Sequence, residues 1–576
     1  MHLVLEKEDS WESARFAGTE GGSPEAGTAS ANGIDVFLLG YPYSTRTSGW
    51  RDAGGILEDY MDGRGVDTAD LEGSFVFAVL DRPARRCLVV TDPYKIYTLF
   101  YCGRDGGDGL VISDRASTAA ALAGRTAPDC AGILQLADFG FLLGERTVIE
   151  GVRSFEAATV SEFGPGLERS VSTYWEMKGG APGKVSIDDV AAAFEEHVEQ
   201  GLALGGRISM PLTAGLDSRA VLSSCIRETG RLHCYTHGDA GSEDVRISRR
   251  IAGRFGISHD HYPISGDTIL RIPEIASSMA DRCNGQLNTV MSAHFLPSYE
   301  RESGRGDIFF SGIGGELMRS YYIPSPVLLK ADTDTYARAL RGRIAIRSDN
   351  GVFSGDLGRE AESILDEEVS AELARMRTGE IQLLSERFYL ADRVGNFMSQ
   401  SMRLVGSYFR IFNPYLRRGM LELVSSLPGE RKRGIEVQRR IIMRNEPRLA
   451  GILMDRARMI GGGPVLAARH CAGRTAFLLK LFANRLSGRE IFGFGFTDYD
   501  SWIARNHGEF IRKTLDPARM IAGDLIDPDR LRAVTDRFLE GGSGLCHFVT
   551  ALASTELFLG EVLRKAEDLR AGKGVR

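Results

Sequence analysis

The chain has no C-x-x-C pair and no histidine at ligand spacing from its eight cysteines, Cys87, Cys102, Cys130, Cys225, Cys234, Cys283, Cys471 and Cys546. That scatter argues against a structural zinc site and against a disulfide scaffold. No run of about 18 apolar residues occurs, so no membrane span and no membrane partner are expected. The opening MHLVLEKED lacks the basic segment and apolar stretch of a signal peptide, which points to a cytoplasmic protein. A basic excess is missing too: 70 Lys+Arg stand against 77 Asp+Glu, for a formal charge of −7. No nucleic-acid partner is expected on that balance. The basic clusters at 246–250 and 431–433 are short and read as solvated helix faces or loops.

What remains is ordinary folded-protein composition, 43% hydrophobic and 26% charged over 576 residues. The first third is β-rich. Asp35–Gly40, Ser74–Leu80 and Cys87–Val90 are short apolar runs between Gly, Asp and Pro, as buried strands are. The small, polar, Gly-rich stretch 18–33 reads as a loop. A second such stretch, Lys178–Lys184, marks a boundary between a domain at 1–180 and one at 187–576.

Beyond it, short strands alternate with amphipathic helices. Arg207–Leu212, His233–His237, His261–Ile264 and Asp307–Phe310 are strand candidates. Helices are expected at 217–229, capped by Gly230, and at 242–255, capped by Gly256. This alternation implies a parallel α/β sheet, followed from about 333 by a mainly helical part.

Leu212-Thr213-Ala214-Gly215-Leu216-Asp217-Ser218 joins the first of these strands to the first helix. Small residues at 213–215 suit close approach of backbone N–H groups to an anion, and a helix N-terminus favours a phosphate. Asp217 would repel a bare phosphate, so its presence fits a Mg2+ ion bridging to the phosphates. The loop is neither a Walker A sequence nor a G-x-G-x-x-G turn. It resembles the S-G-G-x-D-S loop of ATP pyrophosphatases, with Thr213 and Ala214 as departures.

Around that loop the chain resembles the asparagine synthetase family. Ser311-Gly312-Ile313-Gly314-Gly315-Glu316 is similar to the family's second loop, S-G-x-G-x-D-E, with Glu316 in place of an Asp on magnesium. Phe412-Asn413-Pro414-Tyr415-Leu416 is similar to R-x-P-F-L, with Phe412 for the Arg. Leu71–Ala78 and Thr91–Lys95 resemble glutaminase-domain segments. The resemblance implies an α/β fold. It comprises an amidotransferase-like β-rich sandwich, then a parallel-sheet ATP pyrophosphatase domain with a mainly helical C-terminal part.

Glutamine-dependent members carry a cysteine directly after the initiator Met, whereas position 2 here is His2. The resemblance therefore implies a degenerate sandwich without glutaminase activity, as in β-lactam synthetases and lasso-peptide cyclases. Arg458 is the nearest match to the family's catalytic lysine, and Ile313 replaces a residue that is often polar. Glu243-Asp244 reads as helix capping or as support of the nucleotide site. Gly238 would allow close approach of an adenine, while His237 reads as structural. Cys283-Asn284-Gly285 reads as a turn, and Gly461–Pro464 as a lid or a linker.

The reading implied is an ATP-dependent amide synthetase that adenylates a small-molecule or peptide carboxylate and passes it to an amine, with ATP and Mg2+ required. Macrolactam or β-lactam ring closure is one form of it. Ammonia-dependent amidation of a small molecule or glycan, and a catalytically inactive nucleotide-binding regulator, are the alternatives. Leu212, Thr213, Gly215, Asp217, Ser218, Gly238, Ser311 and Gly312 are expected at ATP or pyrophosphate, Asp217 and Glu316 on the metal, and Arg458 on transferring charge. A partner protein delivering substrate, or a homodimer, is allowed for.

Overall fold

Two antiparallel sheets fill the first 173 residues. One runs in the order His2–Glu6, Gly109–Ser113, Phe100–Gly103, Arg153–Ser154. The other runs Arg169–Thr173, Thr159–Phe163, Arg86–Thr91, Leu71–Asp81, Ile34–Ser44, Ala26–Ala31, with Gly49–Trp50 beside Ile34–Ser44. The computed structural model describes all residues except 7–10, 12–13, 18–24, 48, 65–66, 105–106, 108, 181–183, 265, 347–348, 433, 455–459, 461–470, 473–474, 477, 480–481, 483–498, 543 and 574–576.

The strand Ile34–Ser44 shows why this part reads as continuous apolar runs. Its side chains alternate between two buried faces. Phe37, Leu39 and Tyr41 share a core with Leu3, Val111 and Ile112 of the other sheet, while Val36 and Leu38 pack with Ile56 and Leu57 of the helix Ala53–Asp59.

The third sheet is parallel, in the order Ser258–Tyr262, Leu232–His237, Ile208–Pro211, Ile308–Phe310, Arg410–Phe412. In chain order this is 3-2-1-4-5, so the order reverses between the first and fourth strands. In open parallel sheets the crevice beyond the carboxyl ends of two such strands is where ligands bind. The fifth strand, Arg410–Phe412, has no counterpart in the sequence reading.

Helices follow the strands as the pattern predicts, with one correction. The first, Asp217–Cys225, tightens into a 3-10 turn at Ile226–Glu228 and is not capped by Gly230. Arg231 N–H bonds the Glu228 carbonyl instead. The second, Glu243–Phe255, has Ser242 as N-cap and Gly256 (φ 66°) as C-cap.

From Thr333 onward the described elements are mainly helical. The last helix, Cys546–Arg570, is long and apolar enough to cross a membrane by length and composition, which the sequence reading did not allow for. Yet 72% of its apolar window is buried. It packs on Ala116–Ala123, Cys130–Asp138 and Ile272–Arg282, and Glu556 accepts the N–H groups of Ile521 and Ala522.

The antiparallel and parallel parts share one hydrophobic core. Polar contacts fix their register: Tyr43 OH to His197 Nε2 at 2.9 Å, Asn413 Nδ2 to Ser74 Oγ at 3.0 Å, and Arg418 Nε to the buried Glu72 at 3.1 Å. The turn at Cys283–Gly285, with Asn284 at φ 54° and Gly285 at φ 66°, presents Asn284 Oδ1 to the Ala116 N–H at 2.8 Å.

Candidate active site

The first and fourth strands are register neighbours, Ile208 beside Ile308. Their carboxyl ends therefore deliver the loops 212–218 and 311–316 side by side. A cavity of about 480 Å³ opens there. Leu212, Thr213, Asp217, Ser218, Ser311, Gly312 and Glu316 all line it, so seven of the ten expected site residues meet in one place. Gly215 and Gly238 are not among the lining residues, and Arg458 lies outside the described residues.

Asp217 is the most constrained of these side chains. Oδ2 accepts from Arg319 Nη2 at 2.8 Å and Oδ1 from Gln438 Nε2 at 3.1 Å. Gln438 Nε2 also bonds the Gly315 carbonyl at 2.8 Å. A Cβ at Gly315 would stand 2.5 Å from Asp217 Oδ1, so only glycine lets the second loop approach this carboxylate so closely. Burial raises the Asp217 carboxyl to about 6, the Glu316 charge adds to the rise, and Arg319 opposes it. Glu316 opens a short 3-10 turn, Gly315–Arg319, and its Oε2 accepts from Tyr389 OH at 2.7 Å.

The first loop is braced from behind. Thr213 N–H donates to Ser218 Oγ at 3.2 Å, Gly215 N–H to Thr213 Oγ1 at 3.1 Å, and Ala214 N–H to Asp244 Oδ1 at 2.7 Å. This corrects the expectation of three open amides. Side chains of the loop and of the second helix hold those donors, and the Thr213 and Ser218 hydroxyls, on residues that line the cavity, bond one another at 3.0 Å. The N-cap of the second helix is Ser242 and neither Glu243 nor Asp244, while Asp244 supports the loop, the other reading of that acidic start. Gly238 (φ 116°) closes the second strand, its N–H on the Tyr262 carbonyl and its carbonyl on His261 Nε2. His237 bonds Ser298 Oγ, and burial pushes its imidazole well below the ordinary range, as a structural histidine requires.

Several residues here escaped sequence reasoning: Arg319, Tyr389, Gln438 and the fully buried Arg219. Arg219 donates to the carbonyls of Ile452 at 2.6 Å and Leu453 at 3.0 Å, and Arg439 to that of Ile460 at 3.0 Å. The two arginines tether both flanks of the segment that contains Arg458. Tyr415 OH donates to the Asp217 carbonyl at 3.1 Å, tying the 412–416 segment to the first helix.

Among the described residues lining the cavity, Asp217, Asp244 and Glu316 are acidic and none is Lys or Arg. A triphosphate here needs a cation. Two carboxylates converging from neighbouring loops are the hard oxygen set that Mg2+ takes, and the rise at Asp217, set mainly by burial with a smaller part from the Glu316 charge, is a penalty a divalent ion would relieve. The far wall is apolar and aromatic, with Tyr235, Phe295, Tyr299, Phe309, Met402 and Tyr499.

Residues 189–442 match the asparagine synthase family model. That stretch, less than half of the chain, is similar to the asparagine synthetase family. Asparagine synthetase [glutamine-hydrolyzing] of Gallus gallus is 24% identical over 312 residues, 50% of this chain and 53% of that protein. The Homo sapiens enzyme of the same name is 22% identical over 299 residues, 48% of this chain and 52% of that protein. The chain thus spans about half the length of the curated relatives it matches. Among solved structures, the B. subtilis glutamine phosphoribosylpyrophosphate amidotransferase complexed with ADP and GMP covers 42% of this chain and 48% of its own. Its identity is 9% and its TM-score 0.15. The fold of residues 189–442 rests on their strand order instead.

Proposed function

We propose that the chain is an ATP-dependent carbon–nitrogen ligase that forms AMP and pyrophosphate. The observation that carries this reading is the convergence of Asp217 and Glu316 on one cavity at the reversal point of a parallel sheet. The family match at 189–442 supports it.

Asp217 and Glu316 would hold Mg2+, which when bound neutralises triphosphate charge. Gln438 and Arg319 orient Asp217, and Tyr389 orients Glu316. Of the mutually bonded Thr213 and Ser218 hydroxyls, the one whose hydrogen the other does not take would donate to a phosphate oxygen. The substrate carboxylate attacks the α-phosphorus, the bond to pyrophosphate breaks, and an acyl-adenylate forms. An amine then attacks the acyl carbon, AMP leaves, and the amine proton passes to solvent or to a nearby base.

The amine does not come from glutamine hydrolysed by this chain. Position 2 is His2, Cys87 and Cys102 are buried within strands with the Cys87 thiol pushed up to about 12 by burial, and the exposed Cys130, first in the helix Cys130–Asp138, has its thiol raised by partial burial and by Asp129. The amine is supplied by the substrate itself, which makes the product a macrolactam or related ring. The apolar, aromatic wall of the cavity suits a bulky acyl group such as a peptide's.

ATP–pyrophosphate exchange, with Asp217→Ala as control, tests the adenylation. Exchange dependent on an added peptide carboxylate and lost in the variant is expected. No exchange with any carboxylate, or exchange indifferent to the substitution, would reject it. Product mass reads the second step, since ring closure removes one water and ammonia-dependent amidation lowers a free acid by about 1 Da.

A further inference from the structure

A second cavity, of about 210 Å³, lies where the antiparallel part meets the helices Gly355–Arg375 and Ile381–Phe388. It is separate from the site above. Its floor is Asp392, which is fully buried. Asp392 Oδ1 accepts from Gly144 N–H at 2.8 Å and Asn396 Nδ2 at 3.2 Å. Asp392 Oδ2 has no hydrogen-bond partner among the described residues.

The cations around it are committed elsewhere. Lys95 Nζ spends its three donors on the Gly144 carbonyl, Ser154 Oγ and Asn396 Oδ1, at 2.8–2.9 Å. Arg375 Nη1 bonds Glu372 at 3.3 Å. Arg387 bonds Glu176 and the Met177 and Met376 carbonyls. A buried carboxylate oxygen without a donor is costly, and the fold would be expected to fill that position. Lys95 holds a left-handed backbone, φ 52°, at the cavity wall, a conformation that costs a non-glycine residue energy and recurs at binding sites.

Asp392 belongs to a π-helical segment, Tyr389–Met398, that separates the two cavities. Leu390, Ala391 and Asp392 line the second cavity, while Tyr389 and Met398 line the first. Tyr389 is also the residue that holds Glu316. Wide helical turns of this kind concentrate at functional sites.

We propose that the second cavity binds a small primary ammonium compound with a short apolar body, and that its occupancy reaches Glu316 through the segment Tyr389–Met398. The ammonium supplies the donor that Asp392 Oδ2 lacks, while Glu372 and Glu156 stay paired with Arg375 and Arg169. Met177, Met376 and Leu390 contact the apolar body. Burial holds the Asp392 carboxyl well above its ordinary range, a penalty that an incoming cation relieves. The antiparallel part thereby acts as one half of a sensor.

Calorimetric titration of the full chain with n-propylammonium chloride, without nucleotide, tests this directly. Tetramethylammonium chloride serves as an equally charged probe with no N–H. Saturable binding of about one propylammonium per chain is expected, with none for tetramethylammonium. Asp392→Asn, which keeps the acceptor for Gly144, should weaken binding by about tenfold or more. Amide hydrogen exchange across 389–398 should slow when propylammonium binds. If Asp392→Asn does not fold, Ala157→Phe, which fills the cavity from its loop wall, must remove the binding. Absence of saturable binding, equal binding of both probes, or undiminished binding by the variant would mean that only water meets Asp392. Binding without a change in exchange at 389–398 would overturn the transmission.

Discussion

Arg319 Nη2 stands 2.8 Å from Asp217 Oδ2, so the carboxylate that faces the cavity is already ion-paired. The guanidinium comes from the turn that carries Glu316, three residues later on the chain. It keeps two converging carboxylates from being left without a counter-charge. Arg is suited to this because its charge cannot be lost.

The protonation of Asp217 follows from that arrangement. Its folded-state carboxyl, raised to about 6 mainly by burial, lies above the unfolded value of about 3.9. The folded chain therefore binds more protons between those values, and the stability this group contributes is present below about pH 4 and lost as pH rises through about 6. In EDTA, the melting temperature of wild type relative to Asp217→Asn should fall between pH 4 and 6 and level off above 7. A difference independent of pH would contradict the assignment.

Gly315→Ala should disable the site while leaving the fold. The added methyl meets Asp217 Oδ1 and Cγ at 2.5 Å, so the carboxylate or the second loop has to shift. A stability loss of about 1–3 kcal/mol is expected. ATP–pyrophosphate exchange should fall by far more than that stability change explains. Unchanged exchange would show that the close approach of the two loops is not needed.

Tyr389→Phe removes the donor on Glu316 Oε2 and nothing else that is hydrogen-bonded at good geometry. The loss of one bond to a charged acceptor is worth about 1.5–3 kcal/mol, so metal-dependent exchange should drop by roughly ten- to a hundredfold. The Mg2+ concentration for half-maximal exchange should rise in step. A wild-type Mg2+ dependence would remove Tyr389 from the site.

The loops that carry Asp217 and Glu316 were legible because short buried strands, turns of small residues and helix caps each leave a local signature. Ser242 and Gly256 bracket their helix as the spacing predicts. Their meeting on one metal was expected only through the family resemblance, since local pattern does not report strand order. The fourth strand pairs with the first and not with the third, and no local pattern encodes that choice. The supporting residues failed for a related reason. Gln438 and Tyr389 lie more than 70 residues from their partners, on helices whose apolar periodicity reports burial alone. Ala214 misled in another way: a small residue permits an anion to approach, but Asp244 had already taken its N–H.

Phe412, where the family segment has Arg, is built into the joint between the two halves of the molecule. Its ring centroid lies 4.7 Å from His197, 4.9 Å from Phe310 and 6.0 Å from Tyr43. A Cβ at Gly201 would sit 2.4 Å from the same ring, so the helix Ile187–Ala203 has adapted to it. Burial pushes His197 down to about 3, which keeps it neutral, and its two nitrogens are already bonded to Tyr43 and the Pro414 carbonyl. A guanidinium placed here finds no carboxylate among these neighbours. Phe412→Arg should therefore destabilise the chain by about 3–5 kcal/mol, seen as a lowered midpoint in urea, and should not raise exchange activity. A variant of wild-type stability with faster exchange would mean that Phe412 occupies a position where an arginine still has catalytic work to do.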